Sequence, residues 1–171
     1  MAGHIHTKKK SSQPDLFETG RLPLNSKDTG HAVMHCDGAS SGNPGRSGIG
    51  VVINLADEIA REHGKRKKYR ISEYIGIATN NVAEYTALIK GLEKARSLGL
   101  RKIKIFLDSE LLVRQMNGIY KVKNKNLMPL WIKAGNILKE FDDHEIIHVR
   151  REMNKEADLL ATDAVKKAAP A

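Results

Sequence analysis

Three strand-like apolar runs follow one another without an intervening helix, and only then does the pattern change to alternating helix and strand. Ala32 to Met34 leads to Asp37, and Ile49 to Ile53 returns after a stretch from Gly38 to Gly45 rich in Gly and Ser. Ile71 to Ala78 makes the third run. Strands joined without a crossover pair antiparallel, whereas a strand reached over a helix comes back parallel. The order strand, strand, strand, helix, strand, helix, helix, strand, helix therefore predicts a mixed α/β fold. Its five-stranded sheet has three antiparallel strands, then two parallel ones, with helices on both faces.

The helices are read from their spacing. Ala83, Ala87, Leu88, Gly91, Leu92 and Ala95 repeat at helical period behind Asn80 or Asn81 as a cap, and Gly99 stops the run. Ile103 to Leu107 is a short continuous apolar run suited to a strand buried on both faces. Ser109 caps a helix to Gly118, and a further helix over Met128 to Phe141 places Trp131 in the core. Ile146 to Val149 is the last strand, and the final helix begins near Asn154. Ala56 to Arg70 reads as a charged connection, its basic run from Lys65 to Arg70 either solvated or set against a polyanion.

Against this pattern the carboxylates fall in particular places. Asp37 ends the first strand and Asp108 ends the fourth, so parallel pairing sets them side by side at the edge where α/β sheets bind ligands. Glu84 shares a helix face with Ala87 and Leu88, and Asp158 shares one with Ala161 and Val165. A carboxylate on an apolar stripe is costly unless paired or metal-bound. One alone reads as a cap or a salt-bridge partner. Four together predict an acidic pocket that tolerates its own repulsion only around a cation. With a single cysteine, Cys36, and no H-E-x-x-H, the donors are oxygens, which suit Mg²⁺ or Mn²⁺. The chain around them is basic, with net charge +9, and excess Lys and Arg favours polyanions through counterion release. A basic surface and an acidic metal site together point to phosphodiester chemistry.

Four stretches, DGASSGNPG (37–45), TNNVAEY (79–85), LDSELLVRQMNG (107–118) and NKEADLLA (154–161), resemble ribonuclease H of type 1 in order and spacing. The resemblance covers residues ~31 to 168 and implies the ribonuclease H-like fold. It implies endonucleolytic hydrolysis of the RNA strand of RNA–DNA hybrids, leaving 5′-phosphate and 3′-hydroxyl ends. It also implies two Mg²⁺ or Mn²⁺ ions held by Asp37, Glu84, Asp108 and Asp158, with Asp37 bridging them and Asp158 the acid most tolerant of substitution. Substrate contacts map to Gly38, Asn43, Asn80 and Asn81, with Ser109 beside the third acid. Okazaki primers and R-loops are the substrates the family suggests, which points to DNA replication.

The chain departs from well-studied bacterial members in two places. Where they carry a catalytic-loop histidine, this chain reads RREMN (150–154), so Arg150, Arg151 or Glu152 is the candidate for assisting product release, and His148 falls within the strand. Between Gly118 and Met128 there is room only for a loop, not for a helix forming a basic protrusion. Lys121, Lys123 and Lys125 are the candidates to replace it. These departures resemble the branch found in archaea and some bacteria. The alternatives are a catalytically weak nucleic-acid-binding module of the same fold, or a nuclease that also cuts double-stranded RNA.

Residues 1–30 read as a flexible arm before a domain over 31–171, with Pro14, Pro23 and no sustained period. Within the arm QPDLF, through Gln13, Leu16 and Phe17, resembles the peptide by which bacterial replication and repair proteins bind the sliding clamp. No run approaches the ~20 apolar residues of a membrane helix, and no signal-peptide pattern is present. The expectation is a cytoplasmic monomer with no membrane partner.

Overall fold

The computed structural model describes residues 30–168, so the arm and its QPDLF peptide lie outside the described residues. The elements run β1 (Ala32–Gly42), β2 (Gly45–Asn54), α1 (Asp57–Glu62), β3 (Lys68–Ala78), α2 (Asn80–Ser97), β4 (Lys102–Leu107), α3 (Glu110–Met116), α4 (Met128–Leu138), β5 (Asp143–His148) and α5 (Lys155–Lys167). The five strands form one sheet in the order β3-β2-β1-β4-β5. β1, β2 and β3 pair antiparallel, and β1–β4 and β4–β5 pair parallel. The mixed sheet is the one the order of apolar runs predicts.

The boundaries differ in instructive ways. Asp37 does not end β1; the strand continues through the Gly and Ser stretch to Gly42, pairing residue by residue with β2. Only Asn43 and Pro44, joined by a cis peptide bond, form the turn. Small residues that look like a loop in one dimension are here a strand whose side chains leave room for neighbouring helices. The connection from Ala56 contains α1, and the basic run partly enters β3. α4 stops at Leu138, short of Phe141, and β5 begins at Asp143. Thr79 rather than either asparagine caps α2, its hydroxyl accepting from the Val82 N–H. Trp131 is not core but 37% exposed, its indole N–H donating to the Gln115 carbonyl at 3.3 Å.

Alternation along the strands decides which face each residue serves. Met34 and Val51 face α2, where Gly91 lets the helix close on them. That side carries the main core, with Tyr85, Leu88, Leu92, Ile103, Ile105 and Leu107 almost fully buried. The opposite face is covered by α5, which packs on β1, β2 and β3. The approach there is very close: a Cβ on Gly50 would sit 2.0 Å from the Ala157 carbonyl oxygen, and one on Gly48 would sit 2.6 Å from that of Ala161. Glycines on the strand meet Ala157, Ala161 and Ala164 on the helix, so backbone meets backbone. Ser72 Oγ then donates to the Leu160 carbonyl at 2.7 Å, and Glu156 pairs with Lys68 and Arg70 of β3 at 2.8 and 2.7 Å. No helix among the described residues is long and apolar enough to cross a membrane.

Overpacking a tight interface costs about 1–3 kcal/mol. Gly50→Ala is expected to lower the unfolding free energy by about that much, measured by urea denaturation. An unchanged midpoint would show that α5 does not depend on this contact.

Candidate active site

Each of the four acids comes from a different element. Asp37 points from mid-β1 toward the α5 face. Asp108 follows β4, and the β1–β4 register, in which His35 pairs with Phe106, runs on to set Asp108 beside Asp37. Gly38 faces the other way: a Cβ there would lie 2.3 Å from the Ala83 carbonyl carbon and the Glu84 N, so its missing side chain admits the start of α2. That close approach brings Glu84 over the sheet edge. α5 brings Asp158 from the opposite face.

The acids act on one another electrostatically. The Asp37 carboxyl is pushed up to about 8 by its burial and by the negative charges of Asp108 and Asp158, with a hydrogen bond to Asp158 adding to the rise. The Gly38 N–H, 2.8 Å from Asp37 Oδ1, works against it. Glu84 is raised by burial and by Asp108, while hydrogen bonds from Ser109 and Asn80 hold it down.

Each acid is turned to a protein partner. Asp158 Oδ1 accepts from Arg151 at 3.0 Å, Asp108 Oδ1 from Asn154 at 3.2 Å, and Glu84 Oε1 from Asn80 Nδ2 at 2.9 Å. In this arrangement no three His, Cys, Asp or Glu side chains among the described residues are grouped to hold a metal ion. The donor set nevertheless fits a hard divalent cation: all oxygens, gathered closely enough to repel one another. Such a cation would compete with Arg151 for Asp158.

The other expected residues divide into two groups. Asn43 sits in the hairpin turn, and its Oδ1 accepts the Asn80 N–H at 3.2 Å. With Asn80 bonded to Glu84, and Glu84 to Ser109, a row of polar groups leads from the turn to the acids. Asn81 is exposed beside this row. The Gly38 N–H is engaged by Asp37, and the space beside its Cα is filled by α2 rather than left open. Lys121, Lys123 and Lys125 are exposed, in a segment anchored by buried Val122 and Leu127. Of the other basic run, Lys67 pairs with Asp57 at 2.9 Å, and Lys68 and Arg70 pair with Glu156. Neutralisation by protein acids leaves half-buried Lys65 and exposed Arg66 as its remainder.

RREMN forms a single 3-10 turn over Arg151–Met153, and two of its members reach acids, Arg151 at Asp158 and Asn154 at Asp108. The His148 Nε2 lies 3.2 Å from the Asp108 carbonyl oxygen. Asn154, which the sequence suggests only as a helix start, is buried at 1% exposure. Its Nδ2 donates to the Cys36 carbonyl at 2.9 Å as well as to Asp108. An Asn before an amphipathic helix looks like a cap, and that appearance hides its long-range role.

A mixed sheet with carboxylates gathered between its central strands and the starts of two helices defines a ribonuclease H-like domain. A family model for reverse transcriptase-like proteins matches residues 35–164. Bifunctional protein Rv2228c of Mycobacterium tuberculosis is 40% identical over 137 residues, covering 80% of this chain and 36% of that one. This chain thus spans about a third of that relative's length. The solved N-terminal RNase H domain of the same protein is similar with a TM-score of 0.72 at 39% identity, over 79% of this chain and 98% of that one. Ribonuclease HI of Halobacterium salinarum is 39% identical over 80% of this chain and 65% of its own. LC11-RNase H1, solved in complex with an RNA/DNA hybrid, matches with a TM-score of 0.70 at 39% identity, over 80% and 98% of the two chains. The chain belongs to this reverse transcriptase-like, ribonuclease H family.

The raised Asp37 carboxyl has a consequence for stability. Between pH 3.8 and about 8 the folded chain holds a proton on Asp37 that the unfolded chain has released. Stability of the metal-free protein therefore falls as pH rises through that window. Asp37→Asn removes the effect, so the variant is expected to be the more stable at pH 8, with the gap closing toward pH 4. Urea unfolding in EDTA at the two pH values measures it, and parallel pH dependences for the two proteins would contradict it.

Proposed function

We propose that this protein is an endoribonuclease that hydrolyses the RNA strand of RNA–DNA hybrids, using Mg²⁺ or Mn²⁺ and leaving 5′-phosphate and 3′-hydroxyl ends. The observation that carries the reading is the gathering of Asp37, Glu84, Asp108 and Asp158 from four elements, with the Asp37 carboxyl pushed up to about 8. The relatives' names and the hybrid-bound LC11-RNase H1 support it. Asp37, Glu84, Asp108 and Asp158 would hold two divalent ions, whose chemistry there would be activation of the attacking water and stabilisation of the leaving oxygen in an in-line displacement.

The chain's own residues supply the rest. Asp37, whose carboxyl is raised by both Asp108 and Asp158, would hold the ions together with them. Asn43, Asn80 and Glu84 form the recognition row. Distinguishing RNA from DNA means sensing 2′-hydroxyls across a wide, shallow minor groove, and amide and carboxylate groups offer the donors and acceptors for that. Lys121, Lys123 and Lys125, exposed beyond α3, take the DNA strand's phosphates in place of a helical protrusion. Arg151, exposed and paired with Asp158 beside the other acids, is the candidate for drawing away the product phosphate. The protein acts as a cytoplasmic monomer in primer or R-loop removal.

The test is cleavage of labelled RNA–DNA hybrid, double-stranded RNA and double-stranded DNA with Mg²⁺ or Mn²⁺. Selective hybrid cutting is expected. Asp108→Asn should reduce it by at least about 100-fold, the scale of losing one electrostatic stabiliser of a transition state, while hybrid binding persists. Hybrid bound but never cut by the wild type would make the chain a binding module. Hybrid spared while double-stranded RNA is cut would make it a different nuclease.

QPDLF adds a partner. Through Gln13, Leu16 and Phe17 the arm would tether the nuclease to a sliding clamp. A labelled peptide of residues 8–24 is expected to bind purified bacterial clamp, and the peptide with Leu16→Ala and Phe17→Ala is expected not to. Absence of binding by the unaltered peptide would remove the clamp from the proposal.

A further inference from the structure

Asn154 stands between the short 3-10 turn and α5, four residues before Asp158. Its side chain caps no backbone N–H of α5. Instead one buried amide group reaches two other chain segments, the Cys36 carbonyl of β1 and the Asp108 carboxylate after β4. Cys36 is the residue before Asp37. One Nδ2 thus ties Asp108 to the residue before Asp37, at the start of the helix that carries Asp158.

The amide oxygen of Asn154 is buried without a hydrogen-bond partner among the described residues. A buried, unpartnered polar atom is destabilising, and an apolar side chain of the same size would avoid it. What such a side chain would lack is the pair of N–H donors. Donation to one oxygen of Asp108 fixes the plane of that carboxylate and leaves its negative charge intact, because the amide is neutral. Donation to the Cys36 carbonyl fixes the backbone from which Asp37 projects.

From this geometry we infer that Asn154 is a positioning residue for the ion site, orienting Asp108 and Asp37 as ligands while touching no reacting atom itself. The inference rests on the metal-site reading proposed above. Loss of such a contact behind a ligand reduces metal affinity or activity by about 10–100-fold.

The full chain is compared with Asn154→Ala and Asn154→Leu. Mn²⁺ binding is measured by calorimetry without nucleic acid, hybrid cleavage is followed across Mn²⁺ concentrations, and folding is checked by circular dichroism. Both variants are expected to bind Mn²⁺ about 10–100-fold more weakly. The half-saturating Mn²⁺ for cleavage should rise by the same factor, with the rate recovered at saturating Mn²⁺ and KM for hybrid unchanged. Leu fills the space without donating, so a wild-type response from Asn154→Leu would assign the residue to packing and overturn the inference. Folded variants with unchanged Mn²⁺ dependence would overturn it too, as would failure of both to fold, which would place Asn154 in the scaffold alone. If the wild type neither binds Mn²⁺ nor cuts hybrid, the site reading itself fails, and this inference falls with it.

Discussion

Four carboxylates held near one another repel, and the rest of the molecule is arranged to keep them there. Asp37 shows the strain most clearly, its carboxyl raised to about 8 by burial beside Asp108 and Asp158. A fold that tolerates this needs stability from elsewhere. It comes from the α2 side of the sheet, where Met34, Leu88, Leu92, Ile103 and Ile105 lie at 0% exposure. That core is remote in chemistry from the acids but shares their strands, so the apolar face carries the unfavourable polar one.

The acids also need elements brought closer than ordinary side chains permit. Two glycine contacts do this on opposite faces: Gly38 admits α2 with Glu84, and Gly50 admits α5 with Asp158. α5 is then fastened at its start on both flanks. Asn154 holds it to β1 and Asp108, while Glu156 holds it to Lys68 and Arg70 of β3. Surface ion pairs contribute little singly, about 0–1 kcal/mol. The value of the Glu156 contacts lies in direction, because they fix the first turn of the helix, which also carries Asp158.

Much of this was legible in the chain itself. The order of apolar runs dictated antiparallel before parallel, and acids at fixed places on that pattern indicated one pocket. What could not be read were features in which local composition and tertiary role conflict. The stretch after Asp37 has the Gly and Ser content of a loop, yet it is strand because a paired backbone needs no large side chains when helices press against it. Asn154 has the position of a cap, yet its partners lie 118 and 46 residues away. Trp131 has the apolarity of core but lies at the edge of α4, with its N–H satisfied by α3. Basic residues 67, 68 and 70 look free in sequence because their partners, Asp57 and Glu156, come from other elements.

The acids are not equivalent, and their surroundings rank them. Asp37 is 8% exposed and receives a neighbouring backbone N–H, so its place is fixed by the strand. Asp108 is fixed almost as firmly, through a buried amide. Asp158 differs: its side chain is 26% exposed and its partner Arg151 is 74% exposed. A pair that open to water is weak, so turning Asp158 from arginine to a cation costs little. It also gains little, since water can stand in for a ligand at an exposed position more readily than at a buried one. In the proposed ion site, the acid with the loosest protein partner would be the one whose oxygen water replaces most readily, and Asp158 has that partner.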